Sequence, residues 1–391
     1  MKVKEKKVEL IELFYDLIYV FAISKMTLVI EEPVGGVIPF KGFFRYLIVS
    51  FVILQAWLYL TNYVNRYGRW KWYEYALTAV NMTATVFMAN TINSDWAAMN
   101  RTFNLSMTVM LLCVAVMYFI AREMSTGHFS CKRGQQTGLK EQNPGAANNS
   151  LIILAVDCIL YFAAFLVSFQ GFNSAVIWMD AVAVLVGAFL PFFIRGKFDA
   201  SIISFPHLVE RFELITIITF GEGIVGMTDF FDVRNFSFRP VLVFAVVLAL
   251  FGCYVTQIHY LCNHHQVQRA LRLMFSHYFV VIAVNLITVA FKFLENLEAD
   301  RMFTAVLMAA AMVLFFISVF SDSIYYHDRY RFTGCDGVCS AAVLIAGALV
   351  MILFKDSIYG FLIGAFIMAS GNFLMLVAKY KRNEKTKELP V

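Results

Sequence analysis

Apolar runs of about 20 residues recur along the whole chain, each long enough to cross roughly 30 Å of hydrocarbon. Within hydrocarbon every backbone N–H and C=O must find its partner inside the protein, which leaves helices and closed barrels. Uncharged runs of this length select helices. The chain is 60% hydrophobic and only 15% charged, against about half apolar and a quarter charged in soluble domains. The expected fold is therefore an all-α, polytopic integral membrane protein, with the lipid bilayer as its first partner. No long polar stretch leaves room for a separate soluble catalytic domain.

About twelve transmembrane spans can be placed, near Glu9–Ile30, Phe43–Asn65, Trp72–Ile92, Thr102–Arg122, Ser150–Phe169, Ser174–Arg195, His207–Met227, Pro240–Leu261, Leu271–Phe293, Met302–Ser321, Gly337–Phe354 and Ser357–Tyr380. The polar segment 123–149, rich in Gly, Asn and Gln, reads as the main loop. With the N-terminus placed in the cytoplasm, 22 Lys and Arg fall on the cytoplasmic side and 8 outside. That bias is the positive-inside pattern, so both termini are expected in the cytoplasm of a bacterial plasma membrane protein. The basic start has no small-residue cleavage site after its apolar run and is read as part of a retained first helix. The net charge of +5 follows from these flanking residues and gives no reason to expect nucleic-acid binding. Seven cysteines show no zinc spacing, and a disulfide scaffold is not expected.

Leu10-Ile-Glu-Leu-Phe14 opens the first span and Leu208-Val-Glu-Arg-Phe212 opens the seventh. Ala79-Val-Asn81 in the third recurs as Ala283-Val-Asn285 in the ninth. Two matches at a six-span offset predict two parallel six-helix repeats, residues 1–200 and 201–391, a construction common among transporters.

The seventh span is the anomaly, because it carries His207, Glu210, Arg211, Glu213 and Glu222. Ionisable groups are costly in hydrocarbon and usually face a bundle interior or a wet cavity. The first span adds Glu12 and Asp16, four apart and so on one helical face. These seven residues are the primary candidates for a substrate or ion pathway. An ordinary reading stands beside this for Glu12 and Glu210, since carboxylates are favoured in a first helical turn. Asp16 is deeper, and Glu222 is flanked by Gly221 and Gly223, which suit close helix approach. Asp157, Asp180, His277, Asn81 and Asn285 are secondary candidates, the asparagines chiefly as hydrogen-bond links between helices. Trp57, Trp70 and Trp72 read as an interfacial aromatic belt.

Neither His207-x-x-Glu210 nor Cys262-Asn-His-His265 supplies a metal set alone, and no metal or cofactor is expected. Phosphate-binding and hydrolase motifs are lacking, which argues against an enzyme.

The run Glu12-Leu-Phe-Tyr-Asp-Leu-Ile-Tyr-Val-Phe-Ala-Ile-Ser24 resembles the opening signature of the bacterial low temperature requirement A (LtrA) family. His207-Leu-Val-Glu-Arg-Phe-Glu-Leu-Ile-Thr-Ile-Ile-Thr-Phe-Gly-Glu222 is similar to that family's second signature, with Glu213 where a glycine is usual. The resemblance carries Glu12, Phe14, Asp16, His207, Glu210, Arg211, Phe212, Gly221 and Glu222 over as signature positions. It implies a link to growth in the cold and supplies no reaction. The expected function is a transporter or ion-conducting protein with an acidic pathway between the first and seventh spans, acting on a small cation, a proton or a small solute. The alternatives are an intramembrane lipid-modifying enzyme, with His207 and Glu210 as acid and base, and a structural or sensory protein of cold adaptation.

Overall fold

A computed structural model describes residues 5–126, 144–194, 202–231 and 237–385. Most of the polar loop, residues 127–143, lies outside the described residues. Among those described there is no strand, only two isolated bridges, Val34 with Val37 and Cys262 with Tyr326. The helices are α1 Leu10–Met26, α2 Phe40–Tyr67, α3 Trp72–Thr91, α4 Trp96–Thr126, α5 Pro144–Ser168 and α6 Asn173–Phe193, then α7 Phe205–Val225, α8 Arg239–Val255, α9 Leu271–Glu295, α10 Arg301–Ser321, α11 Gly334–Leu353 and α12 Ile358–Lys385. Nine of them are long and apolar enough to cross a membrane; α1, α3 and α7 are the others. In α7 the reason is the charge already noted, while α1, at 17 residues, is short for a crossing.

Many large apolar side chains are exposed among the described residues, as a surface facing lipid requires. α1 shows this most clearly. Glu12, Tyr15, Asp16, Tyr19, Ile23 and Met26 recur every three or four residues and are buried, while Leu10, Phe14 and Leu17 are exposed. A soluble amphipathic helix has the opposite arrangement. This is a multi-pass membrane protein.

Two compact units divide the chain. One comprises Met1–Val29, Lys41–Arg211 and His265–Arg269; the other Ile30–Phe40, Phe212–His264 and Ala270–Val391. In the first, α1 packs on α3, and α3, α4, α5 and α6 pack each on the next. In the second, α9, α10, α11 and α12 pack each on the next, and α8 packs on α12. The division falls inside α7, between Arg211 and Phe212.

Local chemistry positions the start of α1. Glu9 and Glu12 form a capping box, with the Glu9 N–H donating to Glu12 Oε1 at 3.3 Å. Lys6 donates from Nζ to the Val64 carbonyl and, at 3.1 Å, to that of Gly68, so the approach to α1 is tied to the end of α2.

Candidate functional site

Four of the sequence candidates meet in the interior of the first unit. Arg211 donates from Nη1 to Glu12 Oε2 and from Nη2 to Asp16 Oδ1, each at 2.6 Å. His207 Nε2 stands 2.9 Å from the same Glu12 oxygen. All four side chains are at most 1% exposed. Helical spacing prepares both halves of this contact. Glu12 and Asp16 are one turn apart on α1, His207 and Arg211 one turn apart on α7, and each pair projects from one face.

The surrounding groups show where the charges sit. Asn65 donates from Nδ2 to the Ser204 carbonyl at 2.8 Å and accepts the Ser204 N–H at Oδ1, 3.1 Å away, which fixes its amide orientation. Its Nδ2 is also 3.0 Å from His207 Nδ1. An amide nitrogen can only donate, so Nδ1 accepts and the ring proton sits on Nε2, pointing at Glu12. His207 is therefore a neutral imidazole here.

Glu12 is fully engaged. Its Oε1 accepts the Glu9 N–H and the Trp70 indole N–H, each at 3.3 Å, while Oε2 accepts from His207 and Arg211. Four donors around one carboxylate leave no place for a proton, so Glu12 is ionised and balances Arg211. Asp16 is the odd group. Its Oδ1 accepts from Arg211 and, at 2.7 Å, from the Trp57 indole N–H. Its Oδ2 has no hydrogen-bond partner among the described residues. Two carboxylates thus share one guanidinium, with the Lys6 ammonium a further cation acting on Glu12, so Asp16 is the less compensated carboxylate and the one with a buried oxygen that has no partner among the described residues. Trp57 and Tyr15 place their rings 5.6 and 6.0 Å from the guanidinium carbon, adding cation–π attraction on the cation side.

Sequence reasoning did not find Trp57, Trp70 or Asn65. Trp57, read above as part of an aromatic belt, is buried and serves Asp16; Trp70 serves Glu12, and Trp72 is 81% exposed. Trp70 also holds a left-handed φ of 53°, unusual for so bulky a residue. A lone tryptophan beside an apolar run carries no local sign of the carboxylate it will meet.

Other candidates stand apart from the cluster. Glu210 is exposed, and Glu213 and Glu222 are half-buried. Gly223 lies against Thr288 of α9 so closely that a Cβ would come within 2.9 Å of its hydroxyl, whereas nothing lies near Gly221. Glu222 accepts the N–H of Gly226 on its backbone carbonyl, and Gly226 lines a cavity of about 310 Å³ with Glu31, Lys292, Glu295 and Asn296. Lys292 is paired there with Glu31 at 2.7 Å. Asn81 links α3 to α4 by donating to the Met110 carbonyl at 3.1 Å, while Asn285 Nδ2 finds no partner among the described residues. His277 is buried in the second unit, its Nδ1 2.7 Å from the Leu273 carbonyl and its Nε2 2.9 Å from the Tyr254 hydroxyl. Asp157 and Asp180 are fully buried in the first unit.

A family model described as bacterial low temperature requirement A protein (LtrA) matches residues 7–371. The chain belongs to the LtrA family. A comparison with curated proteins returns no match. The four residues that meet in the cluster all come from the two stretches that resemble LtrA signatures, one at the start of α1 and the other along α7.

Proposed function

We propose that this LtrA-family protein is a transporter or ion-conducting membrane protein whose α1–α7 cluster binds and releases one proton, or an equivalent small cation, at Asp16. The observation that carries the reading is the arrangement at Asp16: it shares Arg211 with Glu12, Lys6 adds its charge on the Glu12 side, and Asp16 Oδ2 has no hydrogen-bond partner among the described residues. A buried net charge is expensive, and a proton removes it at little structural cost. A group that is neutral when loaded and charged when empty can bias a bundle between two arrangements, as coupled transport requires. On this reading the chain makes twelve spans in two parallel six-helix repeats, 1–200 and 201–391, with both termini in the cytoplasm of a bacterial plasma membrane. The matching neighbour-to-neighbour packing of α3–α6 and α9–α12 supports the repeats. The cavity beside Gly226 in the second unit has room for a small solute, with Glu222 one turn away along α7.

The test is flux in proteoliposomes with a pH-sensitive dye inside. Asp16→Asn is expected to abolish proton-linked flux while leaving the protein folded, and Glu222→Gln to reduce it. Unchanged flux in both variants would overturn the assignment.

A second reading has one observation in its favour. Glu12 is so completely paired that the cluster also works as a lock between α1 and α7, as a structural or sensory protein would need. Lipid chemistry at His207 is less well supported, because both ring nitrogens are already engaged.

A further inference from the structure

Asp157 presents a second buried carboxylate that the α1–α7 cluster does not use. It lies near the middle of the span Ala147–Ser168, about 15 Å from either end. Its side chain is 0% exposed, and none of the ion pairs among the described residues includes it. What surrounds it is a set of neutral donors. The Tyr59 hydroxyl donates to Oδ2, and Gln55 Nε2 reaches the same oxygen at 3.3 Å. Tyr161, one turn along α5, donates to Gln55 Oε1 at 3.1 Å and holds the amide in that orientation. Oδ1 has no partner among the described residues.

The fold makes room for this arrangement. Gly187 of α6 faces the group, and a Cβ there would overlap Gln55 Nε2. Two turns back along α6, on the same face, Asp180 is likewise fully buried; Asn104 donates to its Oδ2 at 3.3 Å and its Oδ1 is unpartnered. The titratable groups facing Asp157 are Tyr59 from α2 and Cys158 and Tyr161 from α5. Gly187 contributes no side chain, and the contact from α4 is the Thr108 carbonyl, 3.9 Å from Cys158 Sγ. No cation lies among them. A carboxylate at this depth with only neutral partners is far less stable ionised than protonated.

We infer that Asp157 is a proton-binding site: a neutral carboxylic acid at neutral pH, its proton on Oδ1 and its Oδ2 held by Tyr59 and Gln55. Loading is a simple transfer: hydronium gives a proton to Oδ1, its own O–H bond breaking to leave water as the new O–H bond forms. This site owes nothing to Asp16 and stands or falls separately from the transport reading.

Infrared spectroscopy of the full chain in lipid bilayers tests it. At neutral pH a carboxylic-acid C=O band is expected that disappears in Asp157→Asn and persists in Asp180→Asn. Tyr59→Phe, which removes one bond to Oδ2, is expected to move that band without abolishing it. Identical carboxylic-acid regions in wild type and Asp157→Asn would overturn the inference. Should Asp157→Asn fail to fold, the Tyr59→Phe spectrum decides, and an unmoved band counts against the site.

Discussion

Arg211 reaches Asp16 across 195 residues of sequence, its Nη2 2.6 Å from the carboxylate Oδ1. The same guanidinium holds Glu12 with its other terminal nitrogen, so one arginine serves two carboxylates. The fork shape of arginine permits this, and lysine would offer only a point charge. Everything proposed about the cluster follows from that sharing.

Removing the cation should be costly. Arg211→Ala strands Glu12 and Asp16 in the interior and is expected to lower stability by about 3–5 kcal/mol. Arg211→Lys should recover only part of this. Thermal unfolding in detergent measures both, and a loss below about 1 kcal/mol for the alanine variant would mean the cluster is not buried as described.

Asp16→Asn should behave very differently. Asparagine keeps an acceptor for Trp57 and leaves Glu12 and Arg211 as a balanced pair, so stability is expected within about 1 kcal/mol of wild type. Trp57→Phe removes one hydrogen bond to Asp16 and, with Asp16 protonated as in the proposed loaded state, is expected to cost about 1 kcal/mol. A cost near 3 kcal/mol would indicate that Asp16 is ionised in the resting protein.

The ring proton of His207 is open to direct observation. Nitrogen NMR of labelled histidine should show the neutral form with hydrogen on Nε2, whereas an imidazolium signal would contradict the geometry. Asn65→Asp replaces the donor facing Nδ1 with an acceptor and is expected to convert His207 to the imidazolium form.

Glu222 separates function from stability. It is half-buried and outside the cluster, so Glu222→Gln is expected to change stability by no more than about 0.5 kcal/mol. Any loss of flux in that variant would then report on the pathway and not on folding. A large drop in the unfolding midpoint would place Glu222 among the structural groups.

How much was legible beforehand differs from residue to residue. Glu12, Asp16, His207 and Arg211 stood out because a charge within an apolar run is conspicuous and because four-residue spacing puts each pair on one face. Glu210 was equally conspicuous yet is exposed, although it occupies the position that matches Glu12 in the expected repeat. It lies three residues from His207 and one from Arg211, and a rotation of about 100° per residue turns it out of the cluster. Trp57, Trp70 and Asn65 were illegible as partners, because an indole or amide in a membrane helix looks the same whether it meets lipid, a backbone carbonyl or a carboxylate.

Hydropathy and helical period are local properties, so the sequence alone determined a helical membrane protein, the family to which it belongs, and which short stretches carry its charge. Pairing is not local. Only the tertiary structure decided that α1 and α7 join through Arg211, that His207 is neutral, and that Asp16 keeps a buried oxygen with no partner among the described residues. Each of those outcomes depends on which helix faces meet after packing, and on donors contributed by α2 and by the turn that follows it, far away in the chain.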